Sequence, residues 1–366
     1  MKILVCNWRD IKNPRAGGAE TLTHEMASRW AKEGHIVVQI SAKFPGCKSE
    51  ETIDGVTFVR RGSWWNVSFF AWYYYTFILR GEIDAIVDEV HWFPYFTRLY
   101  APEKTVLLAC EVANKRFFTL FPAPIARIWR LFELLYVRLY RNVPTMAISP
   151  STKSELISHG FPARHITVIP MGLTVPASFS PCPKEKVPTV IFLGRLNKLK
   201  GVYDAVNAFK IIKTHIPESV LWLVGSGEQR TIEHVAELIN KYSISGSVVF
   251  HGFVSEQKKF ELLSRGHVLI VPSIHEGWGL IVHEAAFAGT PSVVYDVPGL
   301  RDTLIDGKTG FIVRPDPESL AGRTVTLLTN QFIYRGIESN ARHVAQKLTW
   351  DKTAETALEC VKRAMK

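Results

Sequence analysis

At 366 residues, with 47% hydrophobic and 21% charged residues, the chain has room for two ordinary domains and too average a composition for a disordered or fibrous protein. Five cysteines without paired spacing argue against a disulfide framework or a metal knuckle and favour a reducing, cytoplasmic compartment. A formal net charge of +10 demands an acidic partner, which nucleic acid, an anionic membrane face or a phosphorylated substrate would each supply. The apolar start Ile3 to Cys6 is too short for the core of a signal peptide, so none is expected.

Lys2 to Trp8 reads as a strand that opens a loop running to Gly17-Gly18. A helix follows, with Leu22, Met26 and Trp30 turned to a core by their four-residue spacing. Gly34 ends it as a left-handed cap, and His35 to Ser41 returns as the next strand. This is a strand, glycine turn, helix, strand unit of the dinucleotide-binding type, without a G-x-G-x-x-G fingerprint. Glu51 to Arg61 is a hairpin. The uncharged run Gly62 to Leu79, rich in Trp, Phe and Tyr, approaches the length of a membrane span. Ser63, Asn66, Ser68 and the tyrosines make it instead a partly buried helix touching lipid headgroups.

Strands are expected over Ile83 to Val90 and Thr105 to Cys110. Between Asn114 and Val143, Lys115, Arg116, Arg127, Arg130, Arg138 and Arg141 interleave with Phe117, Phe118, Phe121, Trp129, Phe132 and Tyr136. That mixture favours an anionic surface; the alternative is core aromatics beneath a solvated arginine face. Met146 to Ser149 is a short strand, Ser151 is expected to cap a helix over Thr152 to His159, and Ile166 to Pro170 closes the first half.

Four prolines between Thr174 and Pro188 mark the linker. Strand and helix then alternate: strand Thr189 to Leu193, helix Val202 to His215, strand Val220 to Val224, helix Arg230 to Lys241, strand Val248 to Phe250, helix Glu256 to Arg265. Strand His267 to Val271, helix Leu280 to Ala288, strand Ser292 to Tyr295, a helix over Leu300 to Ile305 and the segment Gly310 to Val313 complete it. Such alternation predicts parallel sheets with right-handed crossovers.

The stretch V-P-S-I-H-E-G-W-G-L-I-V-H-E-A-A-F-A, Val271 to Ala288, carries the chemistry. Pro272 ends a buried strand, and Gly277 and Gly279 let the loop backbone approach a ligand. A helix then begins whose first amides, around Leu280 and Ile281, favour anions. Glu276 and Glu284 bracket this turn and are expected to line one crevice, where carboxylates would accept hydrogen bonds from sugar hydroxyls. Arg195 and Lys200, in the glycine-bounded loop Gly194 to Gly201 directly after a strand, supply a donor fork and a point charge suited to a diphosphate. A zinc-protease helix is rejected because its second histidine would fall at Gly279, and no metal is expected.

Over Thr189 to Val313 these residues resemble the retaining nucleotide-sugar glycosyltransferases of the GT-B fold, glycosyltransferase family 4. G-R-L-x-x-x-K-G at Gly194 to Gly201, V-G-x-G at Val224 to Gly227 and P-S-x-x-E-G-W-G-L at Pro272 to Leu280 match together, and Glu276 and Glu284 fit the family's E-x7-E element. The resemblance implies an α/β, GT-B fold of two Rossmann-like domains with parallel sheets facing across a cleft. Residues 1–176 would be the acceptor-side domain, 177–349 the donor domain, and 350–366 a C-terminal helix crossing back to the first. It implies an enzyme moving a sugar from a UDP- or GDP-sugar to a glycan or lipid-linked acceptor with retention, without cofactor or metal.

By the same resemblance Arg195 and Lys200 would hold the diphosphate, Glu276 would touch the donor sugar, and Glu284 would bind the ribose. Val254, after His251-Gly252-Phe253, would meet the base, and Gly194, Gly277, Gly279, Leu280 and Ile281 would line the donor. Gly17 and Gly18 would face the phosphates and acceptor. One departure is that many relatives carry a histidine at the end of the strand matching Thr105 to Cys110, where this chain has none; His91, Glu111 and Asn114 are the acceptor-side candidates. The basic aromatic segments imply a protein on the cytoplasmic face of a membrane. The rival reading is a non-catalytic sugar-nucleotide-binding protein of the same fold; no nucleic-acid recognition motif is present, so a nucleic-acid partner is rejected.

Overall fold

Branched apolar runs build two sheets, each the floor of one unit. The computed structural model describes residues 1–90, 94–110 and 121–365. The chain divides into one unit of Met1–Gly172 with Thr349–Lys366 and a second of Leu173–Leu348.

The first unit contains β1 (Lys2–Cys6), α1 (Gly18–Lys32), β2 (Ile36–Ser41), β3 (Glu50–Ile53), β4 (Val56–Arg60) and α2 (Val67–Tyr74), which runs into a π-helical turn over Tyr75–Leu79. β5 (Ala85–Val90), α3 (Thr97–Tyr100), β6 (Thr105–Ala109), α4 (Ala123–Tyr140), β7 (Thr145–Ala147), α5 (Pro150–Ser158) and β8 (Ile166–Val168) follow. The sheet has eight strands in the order β3-β4-β2-β1-β5-β6-β7-β8, parallel except for the β3/β4 hairpin. Leu22, Met26 and Trp30 of α1 are buried as their spacing predicts. The Trp30 indole N–H donates to the Ala354 carbonyl at 2.9 Å, and Thr353 Oγ1 donates to Pro170 O at 2.7 Å, so the C-terminal helix is part of this unit's core.

The second unit is a six-stranded, all-parallel sheet in the order β11-β10-β9-β12-β13-β14. Its elements are β9 (Thr189–Leu193), α6 (Val202–His215), β10 (Val220–Val224), α7 (Gln229–Lys241), β11 (Val248–Gly252), α8 (Glu256–Arg265), β12 (Val268–Val271), α9 (Leu280–Phe287), β13 (Ser292–Tyr295) and β14 (Phe311–Val313). Helices α10 (Pro317–Thr329) and α11 (Gln331–Ala345) follow, and α12 (Trp350–Ala364) is the helix that packs in the first unit. Strands β9, β12 and β13 are buried over almost their whole length, as both faces are covered by helices.

Two expectations are corrected. Ser149, not Ser151, caps α5: its Oγ accepts from Thr152 N at 3.0 Å, because Pro150 is suited to the first helical position. Leu300 to Ile305 is a set of turns rather than a helix. There Thr303 Oγ1 donates to Leu300 O at 2.6 Å and Ile305 N to Thr309 Oγ1 at 2.8 Å, side-chain bonds that replace a helical ladder. The amphipathic helices α10 and α11 were not anticipated. Among the described residues, no helix is long and apolar enough to cross a membrane.

Candidate functional site

In the second unit β9 pairs with β10 on one side and β12 on the other, so the order of connection reverses between β9 and β12. The C-terminal ends of strands at such a switch point frame a crevice. The loops leaving β9, β10 and β12 are pressed together there by hydrogen bonds: Gly194 N to Val224 O at 2.9 Å, Leu196 N to Ser226 O at 2.8 Å and Ile274 N to Leu199 O at 3.0 Å. Two glycines permit this. A Cβ on Gly201, at φ +75°, would lie 1.9 Å from Pro272 O, and one on Gly225, at φ +131°, would lie 2.0 Å from Gly194 O.

These loops carry the charged side chains. Lys200 Nζ is paired with Glu276 Oε1, which also accepts from Ser273 Oγ at 2.9 Å. A lysine from the β9 loop thus meets a carboxylate from the β12 loop across the switch point. Arg195 is exposed and has no ion pair among the described residues, so its guanidinium fork is available. Gly279, left-handed at φ +83°, caps α9; Leu280 and Ile281 begin it, half-buried beside Gly277. Trp278 stacks on His283 with centroids 5.5 Å apart, and burial holds that imidazole down at about 4, hence neutral.

Glu284 does not join the Lys200–Glu276 pair. It is buried inside α9 with Lys259 Nζ of α8 at 2.9 Å, and Lys259 also reaches Glu256 at 2.8 Å. Burial pushes the Glu284 carboxyl up, and Lys259 offsets only part of that. Burial likewise lowers Lys259, but Glu284 and Glu256 raise it on balance. Glu284 Oε2 has no hydrogen-bond partner among the described residues, which leaves one acceptor open in a buried position. Val254, after β11, is half-buried against the core of this unit.

In the first unit Gly17 and Gly18 are exposed at the start of α1. Gly17 N donates to Glu20 Oε2 at 2.6 Å, and Arg9 Nε meets Glu20 Oε1 at 2.8 Å, which fixes the loop leaving β1. Beneath it Glu89, at the end of β5, is buried and accepts from Asn7 Nδ2 at 2.5 Å and from Thr23 Oγ1. Burial, partly offset by Thr23, raises its carboxyl to about 8. His91, Glu111 and Asn114 lie outside the described residues.

Sequence reasoning missed Ser273, Lys259 and Glu89. Nothing in local spacing points to Lys259, whose partner Glu284 lies on another helix. Asp88-Glu89, two acids inside an otherwise apolar strand, was a signal for buried, partnered carboxylates.

A pair of parallel-sheet α/β units, one bearing cations and carboxylates on the loops of its switch point, defines the class: a GT-B glycosyltransferase fold. Residues 16–175 match the family described as Glycosyltransferase Family 4, and residues 177–344 the family described as Glycosyl transferases group 1. The chain belongs to these glycosyltransferases. It is 29% identical over 248 residues to an uncharacterized glycosyltransferase of Methanocaldococcus jannaschii, a match covering 63% of this chain and 62% of that one. The chain spans less than two thirds of the length of the curated relatives it matches. Among solved structures, sucrose-phosphate synthase from Thermosynechococcus elongatus superposes with a TM-score of 0.80 at 20% identity, covering 99% and 98% of the two chains. Anabaena HepE, in complex with UDP-glucose, superposes with a TM-score of 0.71 at 17% identity, covering 99% and 100%.

Proposed function

We propose that the chain transfers a sugar from a nucleotide diphosphate sugar, a UDP- or GDP-sugar, to a glycan or lipid-linked acceptor, retaining the anomeric configuration. The observation that carries this reading is the meeting of Lys200 with Glu276 across the β9/β12 switch point, beside an exposed Arg195 that makes no ion pair among the described residues. Arg195 and Lys200 take the diphosphate, with the first amides of α9 at Leu280 and Ile281 and the glycine backbone of Gly194, Gly277 and Gly279 beside them. These charges do the neutralising work that a cation would otherwise do, and the enzyme runs without a metal or cofactor. Glu276 accepts from donor-sugar hydroxyls, the open Oε2 of Glu284 accepts from the ribose, and the backbone at Val254 meets the base. That a fold neighbour, Anabaena HepE, is solved with UDP-glucose supports a donor of this class.

The first unit takes the acceptor, with Gly17 and Gly18 at the start of α1, and His91, Glu111 and Asn114, as the candidates for contact. The enzyme works in the cytoplasm, on a membrane face. No observation favours the non-catalytic alternative.

A thermal-shift screen of nucleotide sugars tests the donor site. A ligand at 100 times its dissociation constant stabilises by about 2.7 kcal/mol. One base should be selected, and its sugar nucleotide should bind without added divalent cation. Absence of any shift across UDP-, GDP-, ADP- and dTDP-sugars would contradict the reading. NMR of the product's anomeric proton tests retention.

A further inference from the structure

Helices α2 and α4 lie on one face of the first sheet. Leu4 and Cys6 of β1 and Ile86 of β5 pack with Val67, Ala71 and Tyr75 of the α2 segment. In register with Cys6 is Asp88, and with Asp88 is Leu107; residues in register share a face. Asp88 accepts from the Tyr140 hydroxyl at 2.5 Å, and Leu107 packs with Tyr136, Val137 and Tyr140 of α4. The outer sides of both helices therefore look away from the sheet in the same direction.

Those outer sides are apolar. On α4 the aromatic residues turn inward: Tyr136 and Tyr140 are buried, and Trp129 and Phe132 pack on the core. The residues left outside are Ile125, Ile128, Leu131 and Leu135, one per turn, with Ile128 67% exposed. Arg127, Arg130 and Arg138 are exposed alongside, while the helix's one acidic residue, Glu133, is buried. Along α2 and its π-helical turn, Phe69, Trp72, Tyr73 and Phe77 form an exposed chain of touching rings with centroids 5.1–5.9 Å apart, in a stretch without a charged side chain from Gly62 to Leu79. Exposed apolar patches of this kind mark an interaction surface.

We propose that this two-helix layer docks on an anionic lipid bilayer. The aliphatic stripe of α4 and the rings of the α2 segment enter the headgroup boundary, and Arg127, Arg130 and Arg138 meet lipid phosphates. Trp and Tyr suit that boundary because one end is apolar and the other wet. A second copy of the chain fits less well, because a two-fold interface sets the same patch against itself and would bring the three arginines of each α4 toward their equivalents. The inference deepens the proposed function by fixing where a lipid-linked acceptor is met, and it rests on that reading only for the acceptor.

Co-sedimentation with phosphatidylglycerol/phosphatidylcholine vesicles, against phosphatidylcholine alone, tests it with the full chain. Wild type should pellet with the anionic vesicles. Each arginine near the surface is worth about 1 kcal/mol, or about fivefold, so Arg127→Glu with Arg130→Glu should weaken binding at least 25-fold, roughly. Ile128→Ser with Leu131→Ser should also weaken it and leave a residue of binding that high salt abolishes. Calorimetric titration with a nucleoside diphosphate should be unaltered in both variants, which shows that they are folded. Wild type that ignores anionic vesicles at low salt overturns the surface while leaving the donor site standing. Intact vesicle binding with no nucleotide binding would do the reverse. A dimer in solution that Ile128→Ser with Leu131→Ser dissociates, with no vesicle binding, would give the surface to a second copy.

Discussion

Removing the Lys200 ammonium separates the site's chemistry from its architecture. In Lys200→Ala the loop survives, because its bonds are backbone bonds: Gly194 N to Val224 O, Leu196 N to Ser226 O and Ile274 N to Leu199 O. The ion pair with Glu276 joins side chains that are 28% and 12% exposed, so screening limits its stabilising contribution to about 1 kcal/mol at most. For a unit of this size that is a melting shift of no more than about 4 °C. A charge-assisted bond to a diphosphate contributes more, about 1.5–3 kcal/mol, which is roughly a 12- to 160-fold change in affinity. Isothermal titration of the variant with a nucleoside diphosphate and with the bare nucleoside reads both terms. The diphosphate should lose affinity in that range while the nucleoside hardly changes. Equal losses for the two ligands, or a large fall in melting temperature, would refute the reasoning and make Lys200 a structural residue.

Arg195→Ala should weaken the same diphosphate without a measurable melting shift, since the exposed guanidinium has no ion-pair partner to lose among the described residues; an altered melting temperature would count against this. Gly201→Ala should destabilise the second unit by more than about 2 kcal/mol in urea denaturation, because φ is +75° and the new Cβ would fall 1.9 Å from Pro272 O; an unchanged midpoint would contradict the close approach. Glu89 gives a pH signature. Its folded pKa of about 8 exceeds the usual 4.5, so the folded state holds the extra proton and stability falls as pH rises between those values, by up to about 1.4 kcal/mol per unit. Glu89→Gln should flatten that slope and match or exceed the wild type at pH 8, and a variant with the original slope would sink this assignment.

The second unit was the more legible. Val202–His215, Val220–Val224, Glu256–Arg265 and Ser292–Tyr295 have the bounds that their apolar periodicity predicts, because each is a helix or buried strand flanked by glycine, proline or a capping serine. Pattern also sufficed to put Arg195, Lys200 and Glu276 in loops at strand ends. What it could not supply was pairing at long range: Lys200 and Glu276 lie 76 residues apart, and nothing local distinguishes Lys259 as the partner of Glu284. Helix α10 was available to sequence reasoning, since Asp316 caps it and Pro317 stands first, with Leu320, Thr324 and Leu327 spaced as a buried face. Leu300 to Ile305 misled for a physical reason, because hydroxyls at Thr303 and Thr309 take the backbone bonds a helix would need. In α4 the mixture of arginine and aromatic residues was visible, but which ring faces the core depends on the helix's rotation over the sheet.

The most direct test is turnover. Purified protein should release nucleoside diphosphate from its selected sugar nucleotide in the presence of acceptor, without divalent metal, and Glu276→Gln should fold, bind nucleoside diphosphate and lose most of that release. Near-wild-type turnover by Glu276→Gln, or a wild type that binds sugar nucleotide and never releases the diphosphate with acceptor present, would contradict the account.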